Sequence, residues 1–477
     1  MSRLKSLAGL AFVSSLAVGA MGCPNREVAE ILPTQNREEY KDIPVEVNRD
    51  VDILFQIDNS GSMGDEQTSL TNNFGRFIQV LENTEGGLPN VHLGVISTNV
   101  GTAGYSISGC GGSGDNGRLL NQGRVLGCAP PSGLYISDVQ TPGTLERTKN
   151  YSGTLAETFA CIAKLGTDGC GFEQHFESLK RALDGSNMQN QGFLRDNAFL
   201  AVIFLSDEDD CSVTADGGVM FDPAQMDVTD PLGPLSSFRC TEFGVTCGGQ
   251  TLPRAPFDSG STDCEPRSDS PYMPHPDRYV EFLKSLKADP LQIIAAGIIG
   301  NPSPVRVELD EGGKPDLSPS CMTGAGKAAP GVRLHYFLNQ FPMRNSFTSI
   351  CNENLEDAVT QVAQLLARIV GNPCLEGAVD TTDLDEAAPG LQIDCSVADI
   401  RYPNTSRQAS TPLRRCDMAA DGMIPSAGQE LPCWYVNSDL DTCDKPGQNG
   451  LIMSVERGSD PLPGTHVIAR CNIATQE

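Results

Sequence analysis

Residues 51–64 read Val51-Asp52-Ile53-Leu54-Phe55-Gln56-Ile57-Asp58-Asn59-Ser60-Gly61-Ser62-Met63-Gly64, and the fold is decided here. The first seven residues form an apolar run of strand length, as expected for a strand buried in a sheet. That strand runs straight into Asp58-x-Ser60-x-Ser62, which puts one carboxylate and two hydroxyls on a tight turn at its C-terminal end. A helix over about 65–83 follows, with Leu70, Phe74, Phe77, Ile78 and Leu81 at helical spacing. Hard oxygens gathered this way suit a Mg²⁺-like ion, which prefers carboxylate, hydroxyl and water ligands in an octahedron. In open α/β sheets the C-terminal rim of the strands is also where ligands bind.

Outward from this stretch, apolar runs alternate with amphipathic ones. Val91–Thr98 reads as a second strand, helices are expected near 154–164 and 172–184, and Phe199–Leu205 is continuous enough to be a central strand. A helix near 276–287, a strand over Leu291–Ile299 and a long helix over about 354–370 complete the series. The alternation predicts an α/β fold with a central, mostly parallel sheet and helices on both faces over residues 47–373. Two stretches interrupt it, 100–150 (rich in Gly and Ser) and 209–274 (rich in Asp, Pro and Gly). Loops of that length in a compact domain are functional, disordered or stapled, and the cysteines in both favour stapling. Both should rim the Asp58 side of the sheet. Residues 374–477 lose the alternation and read as a small Cys-rich β-type module.

The Asp58-x-Ser60-x-Ser62 turn, with its preceding strand and following helix, resembles the metal-ion-dependent adhesion site of the von Willebrand factor A (vWA) family. The resemblance implies a Rossmann-like vWA domain in which a threonine from a second loop and an aspartate ending a later strand complete the site. Thr167, in Leu165-Gly166-Thr167-Asp168-Gly169-Cys170-Gly171, stands where that loop belongs, with Asp168 or Glu173 as alternatives for its role. Asp207 follows the apolar strand at 199–205, where the family's distal aspartate belongs. Ser206 and Glu208 flank it in place of the common Thr-Asp-Gly, and the run Glu208-Asp209-Asp210 reads as a solvated acidic turn, with recruitment of Ca²⁺ as the alternative. The implied cofactor is Mg²⁺, or Mn²⁺ or Ca²⁺, and the implied partner is a protein offering a carboxylate to an open coordination position. A Cys161–Cys170 disulfide is expected to hold the Thr167 loop.

The chain's start reads as a targeting segment. Arg3 and Lys5 precede a short apolar stretch, Leu7 to Val18, too short for an ordinary membrane span. Gly19-Ala20-Met21-Gly22-Cys23 resembles a bacterial lipobox, with Ala20 departing from the usual Leu. The resemblance implies lipidation at Cys23 after removal of residues 1–22; a plain secretory signal is the alternative. By resemblance to lipoprotein sorting signals, Pro24 rather than Asp after the cysteine implies the outer membrane of a bacterial envelope, and residues 23–46 read as a polar tether. Seventeen cysteines less Cys23 leave an even number, as disulfides in an exported chain require. No Cys-x-x-Cys pair supports zinc, and His92, His175, His275, His335 and His466 are scattered. A net charge of −27 with no basic cluster excludes a nucleic-acid partner.

No catalytic constellation competes. Neither Ser60 nor Ser62 sits in a Gly-x-Ser-x-Gly elbow. Gly324-Ala325-Gly326-Lys327 lacks the first glycine and the Ser/Thr of a phosphate loop. Asp439-x-Asp441-x-x-Asp444 lacks the glycine and glutamate of a calcium loop. The expectation is a non-enzymatic, envelope-anchored adhesion protein. An envelope scaffold that binds through its C-terminal module is the alternative, and a metal-dependent hydrolase using Asp58 and Asp207 stands third.

Overall fold

The structure is a computed structural model, and it describes residues 38–43 and 49–472 apart from 85–86, 123–124, 141–145, 197, 288–289, 324–325, 343, 353, 371–373, 377–378, 402–407, 439–447 and 459–464. The decisive stretch forms strand β1 (Asp50–Ile57), buried at nearly every position, and then helix α1 (Gly64–Glu82). Strand β2 (Asn90–Ser97), strands β3 (Ile136–Gln140) and β4 (Arg147–Lys149), helices α2 (Leu155–Ala163) and α3 (His175–Leu183), and strand β5 (Phe199–Ser206) follow. Helix α4 (Asp277–Ser285), strand β6 (Ile293–Ile299), helix α5 (Val332–Asn339), strand β7 (Asn345–Ser349) and helix α6 (Glu356–Val370) complete the unit. These strands make one sheet in the order β7-β6-β5-β1-β2-β3-β4. The first five are mutually parallel, and β3 and β4 extend the edge antiparallel. The fold is mixed α/β with a large, mainly parallel sheet.

Two cores show why both faces of the strands are apolar. On one face Ile53, Phe55 and Ile57 of β1 pack with α1, α2 and α6; on the other Leu54 packs with β5 side chains and with α3, α4 and α5. Phe55 meets Phe74, Phe77 and Phe159, and the Phe74 and Phe159 rings stack at 3.6 Å, which locks α1 and α2 onto β1. Because α2 and α3 lie on opposite faces, the chain between them must cross the C-terminal rim of the sheet.

Five elements depart from the sequence reading. Residues 136–140 and 147–149, inside the expected insertion 100–150, belong to the main sheet. Helix α5 and strand β7 were not expected: α5 is short and carries Arg333 and His335, and β7 is a polar edge strand, so neither shows a clean apolar period. Glu38–Ile43, within the expected tether, pairs antiparallel with Thr465–Asn472. It is the edge of a second seven-stranded sheet that includes Cys395–Arg401, Ala409–Arg415, Cys433–Ser438, Gln448–Glu456 and Cys374–Glu376. That sheet has its own core around Ile393, Trp434, Val436, Met453 and Val467.

Seven disulfides are formed among the described residues, which suits an oxidising, extracytoplasmic setting. Two of them correct the expected Cys161–Cys170 bond: Cys170 pairs with Cys110, and Cys161 with Cys128. The cause is the rim crossing. Cys161 ends a helix on one face, whereas Cys170 is buried in a separate cluster with Phe172, Cys211, Phe221 and Cys240. Among the described residues no helix is long and apolar enough to cross a membrane. Cys23, residues 1–22 and the Asp439–Asp444 acidic motif lie outside the described residues.

Candidate metal centre

Strands β1 and β5 are parallel neighbours, with Ile57 opposite Leu205. Asp58 therefore emerges beside Ser206, and its N–H donates to the Leu205 carbonyl at 3.0 Å. Asp207 is the next residue of the β5 end. Two carboxylates thus leave adjacent parallel strands on the same rim, at the point where β2 lies to one side of β1 and β5 to the other. Such a switch in strand order opens a crevice.

Asp58 is wholly buried. Its Oδ1 accepts from the Ser60 N–H at 2.7 Å, and its Oδ2 from the Ser206 hydroxyl at 2.7 Å. The Ser60 and Ser62 hydroxyl oxygens are 3.3 Å apart. The Asp207 main chain is fixed by Ala329 N–H, 2.8 Å from its carbonyl. Its Oδ1, however, is sealed from solvent with no hydrogen-bond partner among the described residues.

The Thr167 loop comes over this rim, held by Gln67 of α1. The Gln67 Nε2 donates to the carbonyls of Asp58 and Gly166, both at 2.9 Å, and its Oε1 accepts from the Gly166 N–H at 3.0 Å. Gly169 N–H donates to the Asn59 carbonyl at 2.8 Å. Thr167 itself is exposed next to the Ser62 side of the turn; a Cβ at Gly64 would lie 3.5 Å from its Cγ2. Asp58, Ser60, Ser62, Asp207 and the Thr167 loop are therefore brought together.

Electrostatically the crevice is under-compensated. Burial, and then the Asp207 charge, push the Asp58 carboxyl up to about 7. Burial also raises Asp207, opposed by the Ser62 hydroxyl and by Lys327. Glu173 and Glu208 are raised by burial and by Asp58. Neither Asp58 nor Asp207 makes an ion pair among the described residues. The residues fit a small divalent cation: two buried carboxylates lack a direct ion pair, one carboxylate oxygen has no hydrogen-bond partner among the described residues, and the neighbouring donors are hydroxyls. Among the described residues no three His, Cys, Asp or Glu side chains gather as a zinc or all-carboxylate site would require.

The acidic run after β5 is not the solvated turn expected from sequence. Asp209 caps α5, its two oxygens accepting from Arg333 N–H at 2.9 Å and Leu334 N–H at 3.0 Å. Asp210 is buried, accepts from Phe176 N–H of α3 at 3.0 Å, and pairs with the buried Arg333 guanidinium at 3.0 Å. One tetrapeptide thus supplies a carboxylate to the crevice and caps two helices. Ser206, Gln67 and Thr98 also surround the crevice, and sequence reasoning gives none of them a structural role there; Glu173, the alternative to Thr167, is buried beside Thr98. Gln67, with Glu66, is a polar residue buried at the start of the apolar face of α1, and that interruption is the signal the sequence offers.

No family model and no curated protein matches the chain. Several solved structures resemble it loosely. They include the manganese-loaded Plasmodium vivax TRAP protein, at 10% identity over 79% of this chain and 97% of that one, TM-score 0.27. The pilus adhesin RrgA from Streptococcus pneumoniae aligns at 11% identity over 91% and 57%, TM-score 0.26. Proximal thread matrix protein 1 from the mussel byssus aligns at 12% over 69% and 48%, TM-score 0.24. The chain spans about half the length of the latter two, and the chemistry of the crevice rests on its own geometry.

Proposed function

We propose that this chain is a vWA-type binding protein of the bacterial cell envelope that engages an acidic protein partner through a divalent cation. The observation that carries this reading is the pair of buried carboxylates, Asp58 and Asp207, on adjacent parallel strand ends, neither of them in an ion pair among the described residues. Asp58, Ser60 and Ser62 would hold Mg²⁺ (or Mn²⁺ or Ca²⁺), with Thr167 and Asp207 completing the protein shell directly or through water. The bound ion would supply a Lewis-acidic position for the carboxylate of a partner protein. Asp58 is oriented by Ser60 N–H and Ser206, while Gln67 holds the second loop against the first. The disulfide-stapled rim would shape which partner reaches the centre. A lipid on Cys23 would tether the chain to the membrane, the outer membrane by preference, and no nucleic acid is involved.

The reading is tested by capture from envelope extract with Mg²⁺ or with chelator, using the wild-type chain and Asp58→Ala. Capture that needs Mg²⁺ and is lost in Asp58→Ala supports it. A partner retained equally in chelator sinks it, and would favour the scaffold reading in which the second sheet does the binding.

A further inference from the structure

Register places the start of the second sheet beside its exposed apolar side chains. Glu38 pairs with Asn472, Cys395 with Cys471 and Val397 with Leu413. Glu38, the Cys395–Cys471 disulfide and the close of Ala409–Arg415 therefore share one end of that sheet. Three strand spacings, roughly 14 Å, separate Glu38 from the strand that ends at Arg415. Beyond Arg415 the chain makes a tight excursion. Met418 bridges Pro425, Ala419 N–H donates to the Ile424 carbonyl at 2.8 Å, and Asn437 Nδ2 donates to the Met423 carbonyl at 2.7 Å. The tip of this fixed turn points two adjacent apolar side chains outward, Met423 at 63% exposure and Ile424 at 60%. Leu384, 58% exposed, reaches the same end: its N–H donates to the Gln392 carbonyl at 2.9 Å, and the Gln392 side chain accepts from Arg415 at 3.1 Å. Leu431 is exposed two residues before Cys433, which pairs with Arg414. Among the described residues of 374–472, these four are the large apolar side chains left exposed.

Apolar side chains gathered at one place mark a surface that meets something apolar, whereas scattered ones need no explanation. The chain leading into Glu38 says what that is. Cys23 stands fifteen residues before Glu38, and fifteen residues reach at most about 50 Å. A lipid on Cys23 keeps this end of the sheet within that distance of a bilayer. We propose that the end of the second sheet bearing Met423, Ile424, Leu384 and Leu431 is a membrane-contact surface, seated in the interfacial layer of the bilayer to which Cys23 ties the chain. This rests on the lipid anchor of the proposed function. A lipid on a polar segment fixes distance and leaves orientation free; the apolar end supplies the second contact. Asp383, Asp385 and Asp421 flank the patch, and the nearby Arg414 is taken up by Asp417 at 2.6 Å. The surface therefore suits zwitterionic lipid over anionic lipid.

Mass spectrometry of the purified full chain reads the anchor, and fluorescence in phosphatidylcholine–phosphatidylethanolamine vesicles reads the contact. The chain has one tryptophan, Trp434, which is buried. Ile424→Trp adds a second at the tip. Brominating the lipid should lower the emission of Ile424→Trp by about a third or more, and that of the wild-type chain far less. Met423→Trp repeats the measurement from the neighbouring position, and it carries the test if Ile424→Trp does not fold. A lipidated chain in which bromination dims the variants no more than wild type overturns the contact and leaves the anchor standing. Variant emission that shifts to the blue with chain concentration in the absence of vesicles overturns it in favour of a second copy of the chain. A chain with no lipid on Cys23 overturns the anchor, and this proposal with it.

Discussion

The two ends of β1 each carry a buried aspartate, and they are treated in opposite ways. Asp52, near the N-terminal end, accepts from Arg195 Nε at 2.8 Å and from Arg195 N–H at 2.7 Å. Lys287 Nζ stands 4.0 Å away, and His92 Nδ1 lies 3.7 Å away. Asp58, at the other end, has hydroxyl and amide donors but acidic neighbours. Burial pushes both carboxyls upward, and at Asp52 the Arg195 guanidinium pulls back. Along one strand the chain thus provides a cation to Asp52 and none to Asp58. Charge left unbalanced next to charge well balanced is a more specific mark of a site than acidity alone.

The sharpest way to break this contrast is at the balanced end. Arg195→Ala should cost about 3 kcal/mol in denaturant unfolding, because it strands Asp52 in the interior. If Asp58→Ala costs as much in chelator, the two ends are not different in kind. Next, Mg²⁺ at about a hundred times its dissociation constant should add roughly 2.7 kcal/mol of stability to the wild-type chain, and nothing to Asp58→Ala. Unfolding followed with and without the ion reads this directly.

A smaller effect comes from pH. Because the folded Asp58 carboxyl lies near 7, above its ordinary value, the folded chain binds a proton that the unfolded chain does not. In chelator, stability should therefore rise by roughly 1 kcal/mol as pH falls from about 8 to about 6.5, and be lost again as pH climbs through 7. Saturating Mg²⁺ should reverse that slope, since protons then compete with the ion. Melting curves at matched ionic strength decide it. The smallest effect is expected at Thr167, exposed on the second loop: Thr167→Ala should weaken Mg²⁺ by about 1 kcal/mol in calorimetry, well short of Asp58→Ala.

What sequence could reveal follows from range. The buried strand at 51–57, the run at 199–205 and the helix after Asp58 announce themselves within a dozen residues, and all three form. The neighbourhood of Asp58 and Asp207 depends on β1 and β5 being adjacent, which the spacing of a single chain does not encode. The acidic run misled because composition alone cannot tell a wet turn from a pair of helix caps; the caps require α3 and α5 to begin against it. Glu173 shows the same limit, since its burial is set by segments after β2 and β5. The nine-residue spacing of Cys161 and Cys170 suggested a bond that the rim crossing forbids.

Those two cysteines have a further consequence. Because Cys170 joins Cys110 and Cys161 joins Cys128, the stretches 110–128 and 161–170 close into a covalent ring, and Thr167 sits on it. One nick by a protease anywhere in that ring leaves the pieces attached. A pull on the Thr167 loop is borne by bonds of the main chain and of sulfur rather than by hydrogen bonds alone.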